Sequence, residues 1–145
     1  MKFKYAIAGT PYGAALLDSR GKMVKRPVLF LVLKGNKGES FKAPAIIDSG
    51  ADTTTLHIQY AEALGISLDS SGHKDIMGIG KGKVPVYQGI FPFKIKEMGI
   101  DLKVPAWFVD SENVNILLGQ EVFFERFKVK FEKDHDVFEL VEVKK

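Results

Sequence analysis

The sequence predicts a mostly β fold, a barrel or sandwich of many short strands with one or two short helices. Three observations predict it. Short apolar runs recur along the chain, each punctuated by glycine, proline or a polar cluster. Apolar residues make up 46% and charged residues 27% of 145 residues, the balance of a globular chain long enough to bury one real core. The apolar run Ala45-Ile46-Ile47 stops abruptly at Asp48-Ser49-Gly50, which reads as a buried strand ending in a tight turn. Repeats, linkers and low-complexity stretches are absent, so residues 1–145 are expected to form a single domain, with 1–26 as an N-terminal extension.

In chain order, Phe3 to Ala8 is a strand candidate and Gly9-Thr10-Pro11-Tyr12-Gly13 is turn-like. The basic start Met1-Lys2-Phe3-Lys4 is followed by an apolar segment broken by Gly9, Pro11 and Gly13. That segment is too short and interrupted for a signal peptide or membrane span, and a cytoplasmic location is expected. Asp18-Ser19-Arg20-Gly21 reads as a surface turn. Val28 to Leu33 is a continuous apolar strand, turned by Gly35-Asn36-Lys37-Gly38 into Phe41 to Ile47. That hairpin delivers Asp48 to its turn.

Beyond the turn, Ile58 to Leu64 reads as a short helix closed by Gly65. Strands are expected at Lys83 to Tyr87, Ile90 to Lys96, Ile100 to Val104 and Trp107 to Val109, with breaks at Pro85, Pro92, Gly99 and Pro105. Glu121 to Arg126 is expected to be helical. A last hairpin places Val129 and Phe131 on one face and returns over Val137 to Val141, after a turn at Lys133-Asp134-His135-Asp136.

Several function classes fall away on composition. Without cysteine there can be neither disulfides nor thiolate metal sites. The net charge of +3 comes from scattered lysines, not from the dense basic stripe of a nucleic-acid binder. His57, His73 and His135 lack ligand spacing, so no metal is expected. Gly78-Ile79-Gly80-Lys81-Gly82 fails as a phosphate loop, which would need Gly at 77 and Ser or Thr at 84, where Met77 and Val84 stand. It fails as a dinucleotide motif because position 83 is Lys. No cofactor is expected. Trp107, Phe123, Phe124 and Phe127 are assigned to core or dimer packing.

Asp48-Ser49-Gly50-Ala51-Asp52-Thr53-Thr54 resembles the active-site signature of the retropepsin-like aspartic proteases. Two further marks of that family follow in order: a glycine-rich flap, Met77 to Gly82, and a hydrophobic-hydrophobic-Gly strand, Ile116-Leu117-Leu118-Gly119. The resemblance spans roughly residues 27 to 141. It implies a closed β-barrel, the acid protease fold, and an aspartic endopeptidase. Asp48 would be the catalytic carboxylate, Ser49 would bond across to the partner loop, and Gly50 would present its carbonyl to substrate. Ala51 would leave room for the peptide, and Asp52 would bind substrate main chain or cap the loop. Gly78, Ile79, Gly80 and Lys81 would close over the substrate. Two carboxylates that share one proton can act as base and acid, and this chain carries one such loop. A homodimer with Asp48 of each copy on the twofold axis is therefore implied, acting on peptide or protein. The alternative is a catalytically inactive protease-like domain kept for dimerisation or peptide binding. One departure stands out: where many retroviral members have Arg after the last Gly, this chain has Gln120.

Overall fold

The computed structural model describes residues 1–7, 16–77, 83–111 and 114–144, without the side chains of 70–77, 83 and 84. Its strands are β1 (Lys2–Lys4), β2 (Ala6–Ile7), β3 (Lys25–Arg26), β4 (Val28–Lys34), β5 (Ser40–Ile47), β6 (Thr54–His57), β7 (Asp69–Met77), β8 (Lys83–Ile95), β9 (Ile100–Val109), β10 (Ile116–Leu118), β11 (Phe127–Glu132) and β12 (Val137–Glu142). One short α-helix, α1 (Gln59–Leu64), is closed by Gly65 in the left-handed region at φ 67°.

Side-chain alternation decides how these strands close on one another. Leu29, Leu31 and Leu33 of β4 point inward and are essentially fully buried, while Phe30 between them is 47% exposed. Ala43, Ala45 and Ile47 of β5 face the same interior, as do Phe91, Phe93 and Ile95 of β8 and Leu102, Val104, Ala106 and Phe108 of β9. A sheet with one continuous apolar face buries it by curling. The order β4-β5-β10-β6-β9-β8 returns to β4 through Val32 opposite Lys94, so six strands form a closed barrel, with β7 added outside β8. Among the described residues the fold is mostly β, with a closed barrel and short helical segments, as expected.

Two pairs of expected strands are fused. Lys83–Ile95 is one strand through Pro85 and Pro92, and Ile100–Val109 is one through Pro105. A proline removes one ladder donor, so it is tolerated where that side of the strand has no partner. Pro92 lies between the β7 pairing, which ends at Gln88, and the single β4 contact at Lys94. Pro105 falls just before β6 joins β9 at Ala106, and Pro44 just before β10 joins β5 at Ala45. The helix expected over Glu121 to Arg126 is an irregular turn starting at Gln120. Glu121 there is extended and Val122 adopts φ 67°, which a β-branched residue rarely does.

The chain ends meet in a second sheet ordered β1-β12-β11. Phe3 stacks on Phe138 with ring centroids 5.2 Å apart, and the Met1 ammonium donates to the Leu140 carbonyl at 2.7 Å. Val129 and Phe131 do share a face, and Phe131 at its far end is 40% exposed. Residues 16–24 fold back at the expected Asp18 turn, where the Asp18 carboxylate accepts from the Arg20 guanidinium and from the N–H groups of Arg20 and Lys22. Those bonds hold its pKa below the usual carboxylate value. Among the described residues no helix is long and apolar enough to cross a membrane.

Candidate active site

β5 and β6 flank the Asp48 turn yet do not pair with each other. β10 lies between them, parallel to β5 (Leu117 opposite Ile46) and antiparallel to β6 (Leu117 opposite Thr55). A turn whose two legs are held apart by a third strand takes its shape from that strand. The Asp48 N–H accordingly donates to the Leu118 carbonyl at 2.9 Å, and Ile47 is tied on the other side to the Pro27 carbonyl at 2.9 Å. Asp48 is half-buried, whereas Ser49, Gly50 and Asp52 are exposed and Ala51 is half-buried. The carboxylate thus stands at the lip of the barrel.

Inside the loop, the Gly50 N–H donates to Asp48 Oδ1 at 2.9 Å and the Ala51 N–H to the Asp48 carbonyl at 3.2 Å. The segment after β10 then fastens the outer side. Gln120 N–H bonds to the Ala51 carbonyl at 2.8 Å, Glu121 N–H to the Asp52 carbonyl at 2.9 Å, and Gln120 Nε2 to the Ser49 carbonyl at 2.7 Å. Thr53 Oγ1 reaches Glu121 Oε1 at 3.4 Å. Beneath the loop, Thr54 is fully buried and its Oγ1 accepts from the Gly119 N–H at 3.1 Å. Gly119 passes so close that a Cβ there would lie 2.7 Å from the Thr53 carbonyl carbon and 2.8 Å from the Ala51 oxygen. Only glycine fits this crossing.

All five expected loop residues, Asp48, Ser49, Gly50, Ala51 and Asp52, thus lie on one turn at the open end of the barrel. The expected flap residues Gly78, Ile79, Gly80 and Lys81 lie outside the described residues. Their flanking strands β7 and β8 run as an antiparallel ladder up to Met77 opposite Lys83. Phe123 and Phe127 are core residues, 5.2 Å apart between ring centroids, while Trp107 and Phe124 are half-buried. Gln120 and Gly119 had no assigned role beyond their motifs. The one signal pointing to Gln120 was its replacement of the arginine usual in retroviral members.

The model of the family described as "gag-polyprotein putative aspartyl protease" matches residues 37–125, well over half the chain. The chain belongs to this family. The matched span contains the Asp48 loop, the segment between β7 and β8, and the β10 strand that holds the loop. This membership accords with the retropepsin-like resemblance of the three motifs. A retropepsin-like aspartic protease from Rickettsia conorii, known from a crystal structure, is similar over 95% of this chain and 95% of its own, at 20% identity and a TM-score of 0.49. No match to the chain was found among curated proteins.

Proposed function

We propose that this aspartyl protease family member is an endopeptidase that works as a homodimer, with Asp48 of each copy supplying half of the catalytic pair. One observation carries the reading. Of the loop's two carboxylates, Asp48 stands half-buried at the barrel lip and Asp52 is exposed, and the loop's carbonyls at 48, 49, 51 and 52 all accept hydrogen bonds. Such a loop is preorganised, so little reorganisation is needed at the moment of reaction.

In the proposed cycle, the ionised member of the pair takes a proton from a water that attacks the peptide carbonyl, while the protonated member gives its proton to the carbonyl oxygen. The carboxyl that took the water's proton then passes it to the leaving nitrogen, and a hydroxyl of the tetrahedral centre returns a proton to the other carboxylate as the C–N bond breaks. Ser49 is assigned to bonding with the partner loop, Gly50 and Asp52 to the substrate main chain, and Ala51 to leaving space for it. The ladder of β7 and β8 supports Gly78, Ile79, Gly80 and Lys81 as the segment that covers the peptide.

Cleavage of an unfolded protein below neutral pH, compared between wild type and Asp48→Asn, tests this. Cleavage by wild type alone is expected. A dimer that binds peptide without cutting it would establish the inactive protease-like module instead.

A further inference from the structure

The peptide unit joining Ser49 to Gly50 carries a hydrogen bond at each end. Its N–H, belonging to Gly50, donates to Asp48 Oδ1 at 2.9 Å. Its C=O, belonging to Ser49, accepts from Gln120 Nε2 at 2.7 Å. A peptide unit is planar and resists twisting, so whatever fixes the carbonyl direction also fixes the N–H direction. Gly50 has no Cβ to oppose rotation of this plane, and both Ser49 and Gly50 are exposed. The restraint has to come from a bond.

Gln120 is well placed to provide it. Its own N–H is bound to the Ala51 carbonyl, and its neighbours are bound through Gly119 to Thr54 Oγ1 and through Glu121 to the Asp52 carbonyl. The side chain therefore departs from a fixed backbone, and less conformational freedom is lost in making its bond. A donor at the carbonyl oxygen also polarises the amide, making the Gly50 N–H a stronger donor.

We infer that Gln120 is a positioning residue for Asp48, acting through the Ser49–Gly50 peptide plane. This rests on Asp48 being the catalytic carboxylate. Gln120 sets both the direction and the strength of the N–H that holds Oδ1. A glutamine does this without adding charge beside the pair.

The test compares the full-length wild type with Gln120→Leu, which keeps length and loses the donor, and with Gln120→Glu, which donates only when protonated. Peptide cleavage is measured between pH 3 and 8. NMR follows the Gly50 amide over the same range. For Gln120→Leu, kcat should fall about tenfold with KM within about twofold. The Gly50 amide resonance should shift. Gln120→Glu should approach wild type at the acid end and lose activity as its own carboxyl ionises, between about pH 4 and 6.

A Gly50 amide resonance unchanged in Gln120→Leu would overturn the inference, as would equal pH profiles for the Glu and Leu variants. Failure of the catalytic reading would look different. Asp48→Asn would then cut as well as wild type, or wild type would not cut at all, and the Gly50 amide would still report on the Gln120 connection.

Discussion

Asp48 and Thr54 are six positions apart and have opposite surroundings, and each makes its own prediction. Replacing Asp48 by Asn keeps the shape and removes the ionisable group. The variant should melt close to wild type, while kcat falls by at least about 10³-fold. Mixed dimers in which one chain carries Asp48→Asn should be nearly as inactive, since one aspartate cannot hold both protonation states. Retained turnover in either would count against the assignment. Thr54 is fully buried and its hydroxyl oxygen accepts the Gly119 N–H. Thr54→Val strands that N–H in the interior and should cost about 1–3 kcal/mol in denaturant unfolding, while Thr54→Ser should cost clearly less. Asp48 could be read from the sequence because an acid that ends an apolar run is conspicuous. Gln120 and Thr54 could not, because what matters is the atom each meets 65 to 71 residues away. A hydroxyl residue in a polar run gives no sign that it will be buried.

At the scale of elements, the crossing of β10 against the Asp48 turn tolerates no side chain at Gly119. Gly119→Ala would press a methyl against backbone atoms of Thr53 and Ala51 at 2.7 to 2.9 Å, and backbone cannot swing aside. Its unfolding free energy should fall by at least about 2 kcal/mol, with activity falling alongside because the same atoms shape the loop. The hairpin at Asp18 makes a separate prediction. The folded pKa of Asp18 is lowered from 3.8, chiefly by the Arg20 guanidinium and then by the N–H groups of Lys22 and Arg20. A lowered carboxyl pKa adds stability above its unfolded value, and that stability is lost as pH falls through the folded value. Amide exchange at Arg20 and Lys22 should therefore accelerate below about pH 4 in wild type, and an Asp18→Asn variant should lack this step. Strands β4 and β10 were legible because their apolar runs are unbroken, and β5 because it follows β4 across the turn at Gly35-Asn36-Lys37-Gly38. Strand β6 was not, since Thr54-Thr55-Leu56-His57 is short and half polar. Nor was β7, whose register against β8 shifts between Asp69 and Lys74 and so breaks the alternation. Pro85, Pro92 and Pro105 suggested breaks because a sequence does not say which side of a strand goes unpaired.

For the whole molecule, the proposed pairing of one Asp48 from each chain would tie catalysis to association. Specific activity should fall on dilution as dimers dissociate, while circular dichroism of the monomer stays folded. Sedimentation that found a fully active monomer would overturn the dimeric reading. In the proposed dimer, a proton shared by the two aspartates would give a bell-shaped dependence of turnover on pH with its maximum on the acid side of neutral. A rate climbing steadily to pH 9 with the dimer intact would rule out the dyad. A barrel or sandwich was foreseeable from the many short strands, and the closed barrel from the family resemblance, but its closure through Val32 and Lys94 and the joining of both chain ends in one sheet were not, being long-range pairings. The threading of β10 between β5 and β6 also has a consequence in time. The β4–β5 hairpin that carries Asp48 is local and can form as soon as it is made, whereas the bonds that lock the loop wait for residues 118 to 121. At ribosomal speeds of about 5–20 residues per second, that is a delay of roughly 4–14 s. A nascent chain carries its aspartate through this interval on an unlocked loop, so under the proposed function cutting power would arrive only after most of the barrel has been synthesised.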